Sequence, residues 1–212
     1  MKSDKLNVSI NAPQFKTLVL EIVGTTPYCQ NRFSKEAMDK MIKKHEAGST
    51  ERGKKVRDKK DFDRLCEAAI HRSRTGWAGI PASAFRNAMI SACRIVGFKM
   101  THAKLAVFVE ADGFDVVDSV PLVKITKGKP ERQDHMTRNA TGVVDIRPRP
   151  FWKEGWRAIL RIRYDSDMLT ATDIANLLMR VGTQVGIGEG RPDSKDSAGM
   201  GWGLFTLIKG NK

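Results

Sequence analysis

The run Arg157–Tyr164, RAILRIRY, alternates without a break: Ala158, Leu160 and Ile162 fall on one side, Arg157, Arg161 and Arg163 on the other. Successive side chains of a strand point to opposite faces, so this segment predicts a β-strand with one apolar face and one arginine-lined face. The apolar face must be covered by another layer of structure. Lys16–Val23 (KTLVLEIV), Lys104–Glu110 (KLAVFVE), Val120–Ile125 and Leu204–Ile208 read as further strands. Ala84–Val96 sets Phe85, Met89, Ala92, Cys93 and Val96 at helical spacing, and Thr170 or Thr172 stands ready to cap a helix running to about Val185. Two more helices are expected, one after an N-cap at Ser34 through about His45 and one over Asp61–His71.

Stripped of intervening segments, the order is strand 16–23, helix 84–96, strand 104–110, strand 156–164, helix 172–185, strand 203–208. That β-α-β-β-α-β order predicts an α+β fold with a ferredoxin-like (RRM-like) βαββαβ core and large basic insertions. A single domain is expected over 1–212, with core segments 16–24, 80–112 and 155–208 and insertions 34–76 and 113–154. Residues 47–60 and 127–142 read as exposed, basic, loop-like stretches.

Charge narrows the function. The chain has 37 Lys+Arg against 24 Asp+Glu, a net charge of +13. Self-repulsion at that excess opposes compaction, so a polyanionic partner is its simplest explanation. No apolar run is long enough to span a membrane, and the opening MKSDKLNVSI lacks the apolar stretch of a signal peptide. Cys29, Cys66 and Cys93 are widely spaced and odd in number, as free thiols in a reducing compartment would be. A cytoplasmic protein without a membrane partner is expected.

The excess is clustered. Residues 51–60 contain Arg52, Lys54, Lys55, Arg57, Lys59 and Lys60 against Glu51 and Asp58. Residues 124–163 hold 11 Lys+Arg against 4 acids, among them Arg132, Arg138, Arg147 and Arg149. Together with the arginine-faced strand, Arg161 and Arg163 above all, they predict a polyanion groove. Aromatics interleave with it: Trp77 beside Arg72 and Arg74, and Trp152 near Arg147 and Arg149, are candidate base-stacking residues. Gly186, Gly188, Gly190, Gly199, Gly201 and Gly203 form a glycine-rich loop with Arg191 and Lys195 inside it. Glycines let backbone N–H groups approach a phosphate, and the two cations add charge.

Catalytic patterns are poor. The four histidines are scattered, no cysteine pair has zinc spacing, and there is no P-loop or nucleophile elbow. Asp112, Asp115 and Asp118 read as a polar turn between strands. No catalytic residue, metal site or cofactor is expected. His135 and His71 are the residues a metal-independent reaction would use.

Three segments resemble the RAMP superfamily, whose ferredoxin-like proteins build the RNA-binding backbones of CRISPR effector complexes. They are strand 16–23 running into Gly24-Thr25-Thr26-Pro27, the helix start Ile80-Pro81-Ala82-Ser83-Ala84-Phe85-Arg86, and Gly186-Ile187-Gly188 with Gly201-Trp202-Gly203-Leu204-Phe205. Arg147-Pro148-Arg149 with Trp156, Asp165 and Gly188-Glu189-Gly190-Arg191-Pro192 is similar to uncharacterised bacteriophage relatives of that family. The resemblance implies a strand-binding subunit that stacks head to tail along RNA, with Ser83, Arg86 and the loops on phosphates. Ala82 replaces the family's glycine, and GTTPYCQNRFS has no aspartate, so the target-cleaving carboxylate of some relatives has no counterpart. A bacteriophage setting adds DNA as a ligand and the host cytoplasm as location. The expectation is therefore a non-catalytic, self-associating binder of single-stranded RNA or DNA with low sequence specificity. The alternatives are a RAMP-type endoribonuclease and an interaction protein that mimics a CRISPR backbone subunit.

Overall fold

In a computed structural model of the chain, residues 11–33, 35–46, 60–138, 142, 144–194 and 199–208 are described, with Ala37, Lys40, Lys44, Thr137 and Arg138 described by backbone alone. The fold is α+β with antiparallel sheets. The alternating arginine run forms β9 (Arg157–Asp165) and lies against β1 (Phe15–Gly24) in an unbroken antiparallel ladder from Phe15↔Asp165 to Val23↔Arg157. The other edge of β9 is shared. Its far end pairs with β4 (Val107–Glu110) and its near end with β6 (Pro121–Lys127), while β10 (Phe205–Leu207) pairs with β1. β3 (Gly79–Pro81) and β5 (Gly113–Phe114) extend the sheet from β6. A separate sheet joins β2 (Tyr28–Cys29), β8 (Val144–Trp152) and β7 (Glu131–Arg138).

One face of the main sheet is covered. Ala158, Leu160 and Ile162 pack beneath α3 (Ala82–Val96) and α5 (Ala171–Arg180), whose Phe85, Met89, Cys93, Ile174 and Leu178 are fully buried. Val96, the last residue of α3, is instead 47% exposed. Thr170 caps α5 in a reciprocal box with Asp173, and a single π-helical turn (Val181–Val185) ends the helix before Gly186. On the open face, Val19 stands opposite Arg161 and Thr17 opposite Arg163.

The structure corrects several boundaries. Residues 100–106 form a helix, α4 (Met100–Ala106), because Met100, Ala103, Lys104, Leu105 and Ala106 are good helix formers and the valines begin only at Val107. Residues 131–138, expected in a loop, are strand β7, paired with β8 along its whole length. Few β7 side chains are buried, so no apolar alternation marks it. Pro148 and Pro150 disguise β8 as well. The Pro150 carbonyl accepts from Gln30 N–H at 3.2 Å, so both prolines turn their N side toward the short β2 and leave the β7 ladder intact. The segment read as an insertion thus supplies β6 to the main sheet. α1 (Lys35–Glu46) and α2 (Phe62–Ala68) fall where helices were expected; Ser34 lies outside the described residues. Among the described residues no helix is long and apolar enough to cross a membrane.

Cys29, Cys66 and Cys93 are free and buried, and burial pushes the Cys29 thiol up to about 12. In the native protein all three should resist Ellman's reagent near pH 8 and should react fully in urea, as followed by absorbance.

Candidate functional site

β1 ends at Gly24, a position that only glycine fits because a Cβ there would collide with the Trp156 ring, and the chain does not go on as a strand. It turns instead, and the turn is locked to the glycine-rich loop. Gly203 N–H donates to the Pro27 carbonyl at 2.7 Å, Leu204 N–H to Thr26 Oγ1 at 2.9 Å, and Glu189 N–H to the Cys29 carbonyl at 3.0 Å. Gly188 and Gly203 have φ of 80° and 71°, and a Cβ there would strike the Cys29 and Ile187 carbonyls. The glycines thus allow two backbones to lie side by side. The first turn of α3 stands next to them with no side chain capping it.

These segments enclose a cleft of about 600 Å³. Gln30, His71, Ser83, Asn87, Ser91 and Arg191 line it, together with two carboxylates, Glu189 and Asp193, which are paired with Arg149 and Arg94. The open α3 N-terminus presents backbone donors beside Ser83, a favourable setting for an anion. Arg191 holds its place by donating to the Gly188 carbonyl at 3.0 Å.

A buried polar network stands behind one wall. Gln30 Nε2 donates to Tyr28 Oη at 3.0 Å and to the Gly79 carbonyl at 2.8 Å, while its Oε1 accepts from His71 N–H at 2.9 Å. His71 Nδ1 lies 2.8 Å from Asp115 Oδ2, and Arg32 Nη2 lies 3.4 Å from Asp115 Oδ1. Burial alone would push the fully buried Asp115 carboxyl up. The Val117 N–H, the His71 ring and the Arg32 guanidinium outweigh burial and hold it below the usual range. As an acceptor, Asp115 holds a proton on His71 Nδ1 and orients the ring. Asp115 is therefore more than a turn residue. His71, Asp115 and Asp118 bring ligand atoms within 4.8 Å of one another. The Arg32 guanidinium on the same carboxylate opposes a cation there, so the arrangement is a hydrogen-bonded ion network.

The arginines do not form one continuous groove. Of the residues expected to bind, Ser83 and Arg191 reach the cleft, and Lys60, Arg147 and Arg149 gather at a second, smaller pocket. Three expectations are corrected. Trp152 is fully buried against Tyr28, ring centroids 5.4 Å apart, and offers no face to a base. Arg86 turns to the back of α3, donating to the Val107 carbonyl at 2.9 Å and to the Lys104 carbonyl, with its guanidinium over Phe108. Arg149, only 11% exposed, is held by both oxygens of Glu189 and ties β8 to the glycine-rich loop.

Most of the others have local partners. Arg132 pairs with Asp63 and Asp134, Arg72 with Glu67, and Arg161 with Asp112, while Arg74 donates to Ser119. Arg163 lies between the Phe15 and Phe108 rings, 4.8 and 4.9 Å from their centroids. Trp77 is half-buried against Gly79 and Gly113. Arg138 is described by backbone alone, and Lys54, Lys55, Arg57, Lys59 and Lys195 lie outside the described residues. Gln30, Asn31, Arg32 and Asn87 escaped sequence reasoning because isolated polar residues without spacing carry no local signal.

No protein-family model matches the chain, and no curated protein matches it.

Asp115→Asn should destabilise the protein by about 3 kcal/mol at neutral pH, because it strands the buried Arg32 charge. Since the folded-state carboxyl sits below its ordinary value, its stabilisation is full above about pH 4 and is lost as pH falls through the lowered value. Urea unfolding of both proteins across pH should show the gap between them narrowing in acid.

Proposed function

We propose that the protein is a non-catalytic binder of single-stranded RNA or DNA that takes phosphates in the cleft between the α3 N-terminus and the glycine-rich loop. The observation that carries this reading is convergence. The turn after β1, the start of α3 and the loop at 186–203, far apart in sequence, meet at one cleft with an uncapped helix end, a placed arginine and neutral polar side chains, its two carboxylates being paired with arginines. These are also the segments that resemble the RAMP superfamily. The strand order β10–β1–β9–β4, crossed by α3 and α5, supports reading the core as ferredoxin-like. The net charge of +13 supplies long-range attraction for any polyanion. Assembly of copies along the strand belongs to the same reading. It is supported by apolar surface left uncovered on α1, where Met41 and Ile42 are 52% and 51% exposed.

Fluorescence anisotropy with labelled 20-mers tests it. Affinity should fall at least about tenfold between roughly 50 and 200 mM salt, with little dependence on sequence. Arg191→Gln should weaken binding several-fold. Binding that ignores both salt and Arg191→Gln would overturn the reading.

One observation favours a second reading, metal-independent RNA cleavage. His71 lines the cleft with its ring oriented by a buried carboxylate, as a general base requires. His135 is poorly placed for that role: its ring packs on Trp202 and Phe151, 4.9 and 5.9 Å away, and its Nε2 is buried. Labelled RNA in EDTA should stay intact under the first reading. Under the second it is cut, His71→Ala abolishes cutting and His135→Ala does not.

A further inference from the structure

We propose that the smaller pocket beside the cleft binds one phosphorylated nucleoside unit, its phosphate on Lys60 and Arg147 and its base against Phe33. That the unit belongs to a strand rests on the reading above; the pocket's chemistry does not. The pocket, about 230 Å³, lies between the segment after β2, α2 and β8, and Arg32, Lys60, Arg147 and Arg149 line it without a carboxylate among the lining residues. Their counter-ions stand outside. Asp115 lies 3.4 Å from Arg32, Asp145 lies 2.8 Å from Lys60 and 3.5 Å from Arg147, and Glu189 holds Arg149. The Lys60 ammonium, the first cause, and Arg147 keep the Asp145 carboxyl below its usual range. Ion pairs thus hold the cations in place, and the one carboxylate beside Arg147 does not exhaust the five N–H donors of its guanidinium.

Arg32 forms the closed back wall of the pocket. It is more than nine-tenths buried, its Nη1 donates to the Ile70 carbonyl at 3.4 Å and its Nη2 lies 3.4 Å from Asp115, so Nε and Nη2 are closed to a ligand. The accessible cations are Lys60 and Arg147, and a phosphate bridging the two would accept charge-assisted hydrogen bonds from both.

The ligand is more than a bare anion. Phe33 is 54% exposed at the same pocket, and Leu65 and Ile146 are also exposed there. Uncovered aromatic and aliphatic surface beside a phosphate site suits a nucleobase, whose π-face stacks whatever its identity. Asn31 lines both this pocket and the cleft, so a strand leaving one can enter the other.

Calorimetry with a nucleoside 5′-monophosphate, the bare nucleoside, inorganic phosphate and a 20-mer tests the proposal. The monophosphate should bind more tightly than nucleoside or phosphate, and the 20-mer should displace it. Arg147→Gln and Phe33→Ala, both at accessible side chains, should each weaken monophosphate about tenfold. Lys153→Gln, which removes a surface cation outside both the cleft and the pocket, should leave monophosphate affinity unchanged, and thermal melts confirm folding of each variant. Monophosphate binding with no 20-mer binding assigns the pocket to a free nucleotide and defeats the strand reading alone. Binding of the 20-mer with no monophosphate binding overturns the pocket alone, as does monophosphate affinity untouched by either pocket variant. Inorganic phosphate binding as tightly as monophosphate, with Phe33→Ala silent, also overturns it.

Discussion

The ladder between β1 and β9 is the constraint on which everything else depends. Its register puts Leu18, Leu20 and Ile22 beside Ile162, Leu160 and Ala158 on one face. A slip of β9 by one residue would turn Ala158, Leu160 and Ile162 to the open face and bring its arginines under the helices. The ladder also sets where β1 stops. Gly24 donates to the Trp156 carbonyl at 2.8 Å, and the Trp156 indole donates to the Thr26 carbonyl at 3.0 Å. From that fixed point the chain turns into the segment that carries Tyr28, Gln30 and Arg32. The cleft wall, the buried network and the smaller pocket each take residues from the nine that follow that strand.

Charge is distributed on two scales. Near the surface, many arginines are matched by a carboxylate, and such exposed pairs contribute little stability. They do decide which cations face a ligand. Inside, Asp115 gathers Arg32, His71 and a backbone N–H where no water competes. That network joins the segment after β2, the segment before β3 and the turn after β5. It orients the cleft histidine and fixes Arg32 at the back of the smaller pocket.

The sequence was most legible where the signal is local. The alternation of RAILRIRY gave the strand and its two faces, the spacing in 84–96 gave the buried side of α3, and Thr170 marked the start of α5. It was least legible at β7 and β8. There the ladder is made by backbone groups, and the side chains are charged residues and prolines that locally argue for a loop. Trp152 was misread because its arginine neighbours are close in sequence, whereas its packing partner Tyr28 is distant. The cleft was legible in its parts, as Ser83, Arg191 and the glycines, but its neutral polar lining was not.

By itself the sequence determined the strand and helix faces, the glycine-rich connection and a large positive excess, since each depends on periodicity, residue type or a count. Only the tertiary structure decided which charges are engaged. Arg149 meets Glu189 across 40 residues, Arg161 meets Asp112 across 49, and Arg157 meets Glu21 across 136. Ion pairing depends on distance in space, and no local pattern encodes which opposite charge the fold brings within 4 Å.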